Sequence, residues 1–324
     1  MRTLLGVLAA TTVLALGACS SGTAGDAGGS SDAGGHGTLN VTDSTGRVAL
    51  DGPAKRVVAL EWSYVEDLLT VGVTPVGVAD RATYNTWVKG GPKLPASVPD
   101  VGGRAQPSLE KIKALHPDVI VAEKSRSTAN RAELRKIAPV LLFDSYSPKD
   151  ALVTNMTGTF LRLGRAVGRS DQAARVVGDY QKTVSDAKAR LVKAGKDGTE
   201  VTLLQGFSVN GQPSIRAYTD HAQAVQVLAS IGLHNAWHGK DSDPSGFTAT
   251  GVEGLDAVSD STVLYVAQAS DDPFAGALAH NATWRRLGFV RHDRVHALDP
   301  GTWFWGGPKS DEMLIDQALD ALGA

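Results

Sequence analysis

Arginines and aromatic residues recur where the predicted strands of this chain give way to loops. Past successive strands come Glu61, Trp62, Ser63 and Tyr64; Asp80 and Arg81; Ser125 and Arg126; Phe207 and Ser208; then Trp303 and Trp305. Arg104 lies in the loop before a capped helix, and Arg216 and Tyr218 follow a turn at Asn210-Gly211. A guanidinium presents a planar fork of N–H donors and keeps its charge, and aromatic faces add contact area. The set Trp62, Tyr64, Arg81, Arg104, Arg126, Arg216, Tyr218, Trp303 and Trp305 therefore suits non-covalent recognition of a bulky, oxygen-rich anion. Taken singly, each arginine has a plainer reading as a surface ion pair.

Catalytic constellations are missing. The chain has no Gly-x-Ser-x-Gly elbow, no Gly-x-x-x-x-Gly-Lys run and no Cys-x-x-Cys. His234 and His238 have a spacing that holds a metal on a helix, but no acidic third ligand stands at a diagnostic distance and Gly239 ends the segment. The reading is of a binding protein without a metal of its own, with a secreted α/β hydrolase and a purely structural surface lipoprotein as rivals from other classes.

Strands and helices alternate along the body. Leu39–Leu50 reads as a hairpin about Asp43-Ser-Thr-Gly46, and Arg56–Leu60, Pro75–Ala79, Val119–Ala122 and Val140–Phe143 as short buried strands. Between them Ser63 and Ser108 are placed to cap helices with one apolar face. Continuous apolar strands in this order predict a mostly parallel sheet covered on both faces. Residues 149–194 lack a strand signal; Gly168-Arg-Ser170 interrupts them, and Ser170 is placed to cap a long helix with Ala174, Val177, Tyr180 and Val184 on its inner face. A second α/β unit opens at Val201–Leu204 and ends in a helix over Met313–Leu322.

The halves echo each other. Leu109-Glu110-x-Ile112-x-Ala114-Leu115 aligns with Val252-Glu253-x-Leu255-x-Ala257-Val258, and Leu68-x-x-x-Gly72-Val73 with Leu228-x-x-x-Gly232-Leu233. This favours a diverged duplication: two Rossmann-like α/β lobes joined by a long helix, with a ligand cleft between them. Glu110 and Glu253, each in the first turn of a predicted helix, suit the helix dipole. As a matched pair they also suit docking onto a two-fold partner.

Arg2 followed by the apolar run Leu4–Leu16 reads as an export signal, too short to span a bilayer as a mature helix. Leu16-Gly-Ala-Cys19 has the form of a bacterial lipobox, which makes Cys19, the only cysteine, the lipidated N-terminus and leaves no internal disulfide. The organisation expected is signal 1–18, flexible tether 19–37, first lobe 38–148, helical connector 149–194 and second lobe 195–324. A formal charge of −2 argues against nucleic acid as the main partner.

Arg104-Ala-Gln-Pro-Ser-Leu-Glu110, Ser125-Arg126 and Ile137-Ala-Pro-Val140 resemble the iron(III)-dicitrate-binding protein and its siderophore-binding relatives. The resemblance runs from about Lys55 to the C-terminus and is strongest over Val57–Leu142. It implies a monomeric substrate-binding lipoprotein of an ABC importer, anchored at the outer face of the cell membrane. Glu110 and Glu253 would dock on a permease dimer served by a cytoplasmic ATPase. The ligand implied is a ferric siderophore, with an anionic dicitrate or carboxylate chelate favoured and the iron arriving already chelated. Heme, cobalamin or neutral hydroxamate, contacted by Tyr64 or Tyr218, is the alternative. Arg104 and Arg126 match the family's ligand residues; the others are inferred from strand-end position.

Overall fold

The computed structural model describes residues 37–147 and 151–324. The expected signal, Cys19, the tether up to residue 36 and the junction at 148–149 lie outside them. β1 (Leu39–Asp43) and β2 (Gly46–Leu50) make the expected antiparallel hairpin. The Asp43 carboxylate accepts from Thr45 N at 2.7 Å and Leu142 N at 2.8 Å, which pins this hairpin to the first sheet.

That sheet holds β3 (Val57–Ala59), β4 (Gly77–Val78), β5 (Val119–Glu123) and β6 (Val140–Phe143), all parallel, in the order β4-β3-β5-β6. Every residue of β5 and β6 is buried, as parallel strands covered on both faces require. Each such Val, Leu or Ile stabilises the fold by about 1.5–3 kcal/mol relative to exposure. Helices α1 (Trp62–Thr70), α2 (Arg81–Trp87), α3 (Leu109–Ala114), α4 (Lys124–Ser127) and α5 (Arg131–Arg135) fill the crossovers. Ser108 caps α3 as expected, its Oγ accepting from Lys111 N at 3.3 Å. Ser63 does not cap α1. Glu61 takes that place, accepting from Trp62 N at 2.9 Å, and Ser63 lies inside the helix.

Two helices, α6 (Leu152–Ala166) and α7 (Ser170–Ala194), follow in sequence and pack on each other. Arg169 rather than Ser170 is the N-cap of α7, and no side chain caps it. Its buried face runs through Ala173, Val176, Val177, Tyr180, Ala187 and Leu191, with Ala174 exposed. A stripe anchored on Tyr180 reaches back to Ala173 at seven residues, so Ala174 falls outside it. Gly195, at φ 67°, supplies the left-handed residue that ends α7.

The second sheet contains β7 (Glu200–Val209), β8 (Gln212–Tyr218), β9 (His234–Asn235), β10 (Phe247–Thr250), β11 (Thr262–Val266) and β12 (Val295–Ala297). Its order is β10-β8-β7-β11-β12, with β9 also on β7. β7 pairs parallel with β9 and β11, and β11 with β12, while β7-β8-β10 is antiparallel. Asn210 and Gly211, at φ 51° and 76°, make the two-residue turn that folds β8 back and carries Arg216 and Tyr218 with it. Helices α8 (Gln223–Ser230), α9 (Ala282–Arg286), α10 (Gly288–Arg291) and α11 (Pro308–Leu322) cover this sheet. Glu253 opens a 3-10 helix over Val252–Val258, not the α-helix its counterpart Glu110 occupies.

α11 starts at Pro308, earlier than the predicted Met313: proline suits the first helical position, and the other lobe caps the first turn. Glu66 of α1 accepts from Ser310 N at 2.7 Å and Ser310 Oγ at 2.6 Å. Among the described residues no helix is long and apolar enough to cross a membrane.

Candidate functional site

The four parallel strands of the first sheet send their carboxyl ends to one edge, where Glu61 is the node. Glu61 is 3% exposed. Its Oε1 accepts from Arg104 Nη1 at 2.8 Å and its Oε2 from Arg126 Nε at 2.9 Å. The same Oε1 accepts from Trp62 N, so the carboxylate is fixed by the helix it caps. The Arg104 guanidinium lies over the Trp62 ring, 3.7 Å from its centroid. Burial pushes the Arg126 guanidinium down, but Glu61, Tyr146 and Glu123 outweigh it and hold the cation more firmly charged. Asp80 adopts a left-handed conformation at φ 48° at the end of β4, and its carboxylate accepts from Arg104 N at 3.2 Å. Aspartate tolerates that conformation better than most residues.

From Arg104 a continuous run of ring contacts crosses to the second lobe. Trp62 meets Trp303 at 5.0 Å, Trp303 meets Trp305 at 4.9 Å, and Trp305 meets Tyr218 at 5.6 Å. Tyr218 meets Phe247 at 6.2 Å, and Phe247 carries Arg216 at 4.5 Å, with Phe207 on its other side at 4.9 Å. The wall thus begins and ends at an arginine. Trp303 and Trp305 are both half-buried while Phe304 between them is buried, so the two indoles line the cleft and the phenyl ring anchors the segment.

Seven of the nine expected ligand residues are therefore connected: Trp62, Arg104, Arg126, Arg216, Tyr218, Trp303 and Trp305. Their exposure differs. Trp62 is buried beneath Arg104, and Tyr218 is fully buried, its hydroxyl donating to Gln205 Oε1 at 3.0 Å. Burial pushes the Tyr218 phenol far up, so it stays protonated. Tyr64 is also buried; its hydroxyl meets Ser145 Oγ at 2.8 Å and its ring packs on Phe143. Both tyrosine hydroxyls are thus engaged within the protein. Arg81 turns away altogether: its Nη1 donates to Ala96 O and Val98 O, committing the side chain to its own loop.

Sequence reasoning placed Glu61 and Phe207 at strand ends without assigning them roles, and missed Tyr146, Phe247 and Gln205. An acid directly before an aromatic residue at a strand end was the available signal for Glu61. Phe247 carried none, because it reaches the site through an antiparallel pairing with Tyr218.

Below the wall lies a narrow cavity of about 20 Å³ lined by Tyr64, Asp67, Tyr146, Thr159, Gln223 and Trp305, room for a single water. Three buried acids, Glu66 and Asp67 of α1 and Asp311 of α11, cluster beside it. Burial pushes Glu66, Asp67 and Asp311 all upward. Mutual repulsion adds to the rise at Asp67, whose Oδ1 has no hydrogen-bond partner. Elsewhere, Glu110 and Glu253 are exposed. His234 lies in β9 and His238 Nδ1 faces Asp220 at 3.1 Å, so their spacing is not a helical one.

The residues from 57 to 302 match the family described as periplasmic binding protein. Over 283 residues the chain is 27% identical to the Fe(3+)-citrate-binding protein YfmC of Bacillus subtilis, covering 86% of this chain and 84% of that one. It is 30% identical to the iron(3+)-hydroxamate-binding protein FhuD of Escherichia coli, with 83% and 87% covered. A crystal structure of the siderophore-binding protein FhuD of Vibrio cholerae superposes with a TM-score of 0.75 at 30% identity, over 83% of this chain and 98% of that one. With its two sheets, its cross-lobe wall and this match over most of its length, the chain belongs to the periplasmic binding protein family.

Proposed function

We propose that this protein captures a ferric siderophore in the cleft between its two sheets and delivers it to an ABC permease, held at the outer face of the membrane by a lipid on Cys19. The observation that carries the reading is the wall running from Arg104 to Arg216 across both lobes. Guanidinium N–H groups donate to oxygens and do not ligate metal, so the iron is read as entering inside its chelate. The tryptophans cover the organic frame of the chelate. Relatives named for ferric citrate and ferric hydroxamate support the class of ligand. No enzymatic step is assigned to the cleft.

The first reading of the chelate is one of low net charge, such as a trihydroxamate, because Glu61 holds both arginines of the first lobe and Asp80 and Glu123 stand beside them. A carboxylate chelate such as ferric dicitrate is the second reading. It is favoured by Arg216, within ion-pair reach of no carboxylate among the described residues. Exposed Glu110 and Glu253 are the proposed permease contacts; reversing both charges should spare ligand binding and stop uptake. Titrating the protein with ferric trihydroxamate and ferric dicitrate should quench tryptophan fluorescence saturably and raise the melting temperature. A flat signal with no thermal protection across ferric chelates of every charge would remove the reading.

A further inference from the structure

The positive charge that the arginines bring to the first lobe is cancelled on the spot. Arg104 lies 2.8 Å from Glu61 and 3.8 Å from Asp80, and Arg126 lies 2.9 Å from Glu61. Lys124 pairs with Asp144 at 2.8 Å, and buried Glu123 accepts from Arg126 N at 3.1 Å. Three cations (Arg104, Arg126, Lys124) thus face four carboxylates (Glu61, Asp80, Glu123, Asp144). Arg216 from the second lobe only brings the count level.

Glu61 stands apart from the other acids. It touches both arginines, and it cannot swing aside because it also caps α1 through Trp62 N. We propose that Glu61 is the specificity-determining residue of the cleft: with Asp80 beside Arg104 and Glu123 beside Arg126, it presents both arginines as hydrogen-bond donors without surplus charge, so the site selects neutral or cationic ferric chelates over anionic ones. This rests on the siderophore reading of the cleft. Each guanidinium has five N–H donors; Glu61 engages one on each and Tyr146 another on Arg126, and further donors on both are left for ligand oxygens. The arginine side chains keep 18% and 35% of their surface exposed for that contact. An anionic chelate seated on the same donors meets the Glu61 charge at short range. Repulsion between like charges at such separations lowers affinity by about tenfold or more per charge at the effective dielectric of a protein surface.

The test measures tryptophan-quenching affinities for ferric dicitrate and a neutral ferric trihydroxamate in the full chain and in Glu61→Gln, which keeps the shape and removes the charge. The unaltered protein should prefer the trihydroxamate, and Glu61→Gln should shift the ratio toward dicitrate by about tenfold. Glu61→Asp, which restores the charge, should restore the preference. An unchanged ratio, with both affinities falling together, overturns the proposal and leaves the siderophore reading standing. A protein that binds neither chelate, nor any other ferric chelate, overturns both. Should Glu61→Gln fail to fold, salt dependence in the unaltered protein decides. Affinity for each chelate that binds should change less than about threefold on raising salt until the Debye length is about 3 Å. A tenfold loss confined to the anionic chelate would mean surplus positive charge, and the proposal falls.

Discussion

The two sides of the cleft hold their arginines differently. In the first lobe Arg104 and Arg126 are clamped by one buried carboxylate, and Arg104 is pressed onto Trp62. In the second lobe Arg216 sits between Phe207 and Phe247 and donates to the neutral Gln205 Oε1 at 3.2 Å. The first arrangement is charge-matched once Asp80 and Glu123 are counted with Glu61; the second keeps its charge and is held by ring faces and an amide. Charge content read from residue types therefore overstates how anion-seeking the first lobe is, while the second lobe carries the unmatched cation.

Unequal mutational losses would confirm that contrast. Arg104→Ala leaves the buried Glu61 carboxylate with one arginine partner, so it should destabilise the protein by about 3 kcal/mol in urea unfolding as well as weaken binding. Arg216→Ala removes no partner of a buried charge and should cost under about 1.5 kcal/mol of stability while weakening binding comparably. Equal stability losses would erase the difference between the two sides.

The lobe junction gives a smaller, pH-dependent effect. Asp67 holds its proton in the folded state to a pH well above its ordinary value, chiefly through burial and then through Glu66 and Asp311. The unfolded chain releases that proton near pH 4. Across the window from there up to the raised folded value the folded state binds more protons, so stability falls as pH rises. Asp67→Asn cannot ionise. Its advantage over the unaltered protein should be absent near pH 4 and grow to on the order of 1 kcal/mol at pH 8, read from melting curves. A constant difference across that range would rule out Asp67 as the titrating group. The smallest effect is expected at Arg81: replacement by alanine should leave affinity unchanged within about twofold, because its guanidinium serves the loop at Ala96 and Val98.

Much of the fold was legible. Runs of apolar residues gave the strands of the first sheet, the Asn210-Gly211 pair gave a turn, and Ser108 gave a cap, because each of these depends on neighbours close in sequence. Site positions followed less fully. Arg126, Trp303 and Trp305 came from strand-end placement and Arg104 from the loop before a capped helix, with the family resemblance singling out Arg104 and Arg126; the burial of Tyr64 and Tyr218 and the turning away of Arg81 were not legible. A residue type reports what a side chain can bond to, not which partner reaches it first.

By itself the sequence determined the alternation of α and β elements, the existence of two echoing units and a supply of arginines and indoles at strand ends. The tertiary structure alone decided that Glu61 takes up both arginines and that Glu66 of one lobe binds Ser310 in the first turn of the other's last helix. Those bonds join residues from 43 to 244 positions apart, and at such separations local propensity is silent: packing brings the acid to its donors, and burial then makes the pairing strong.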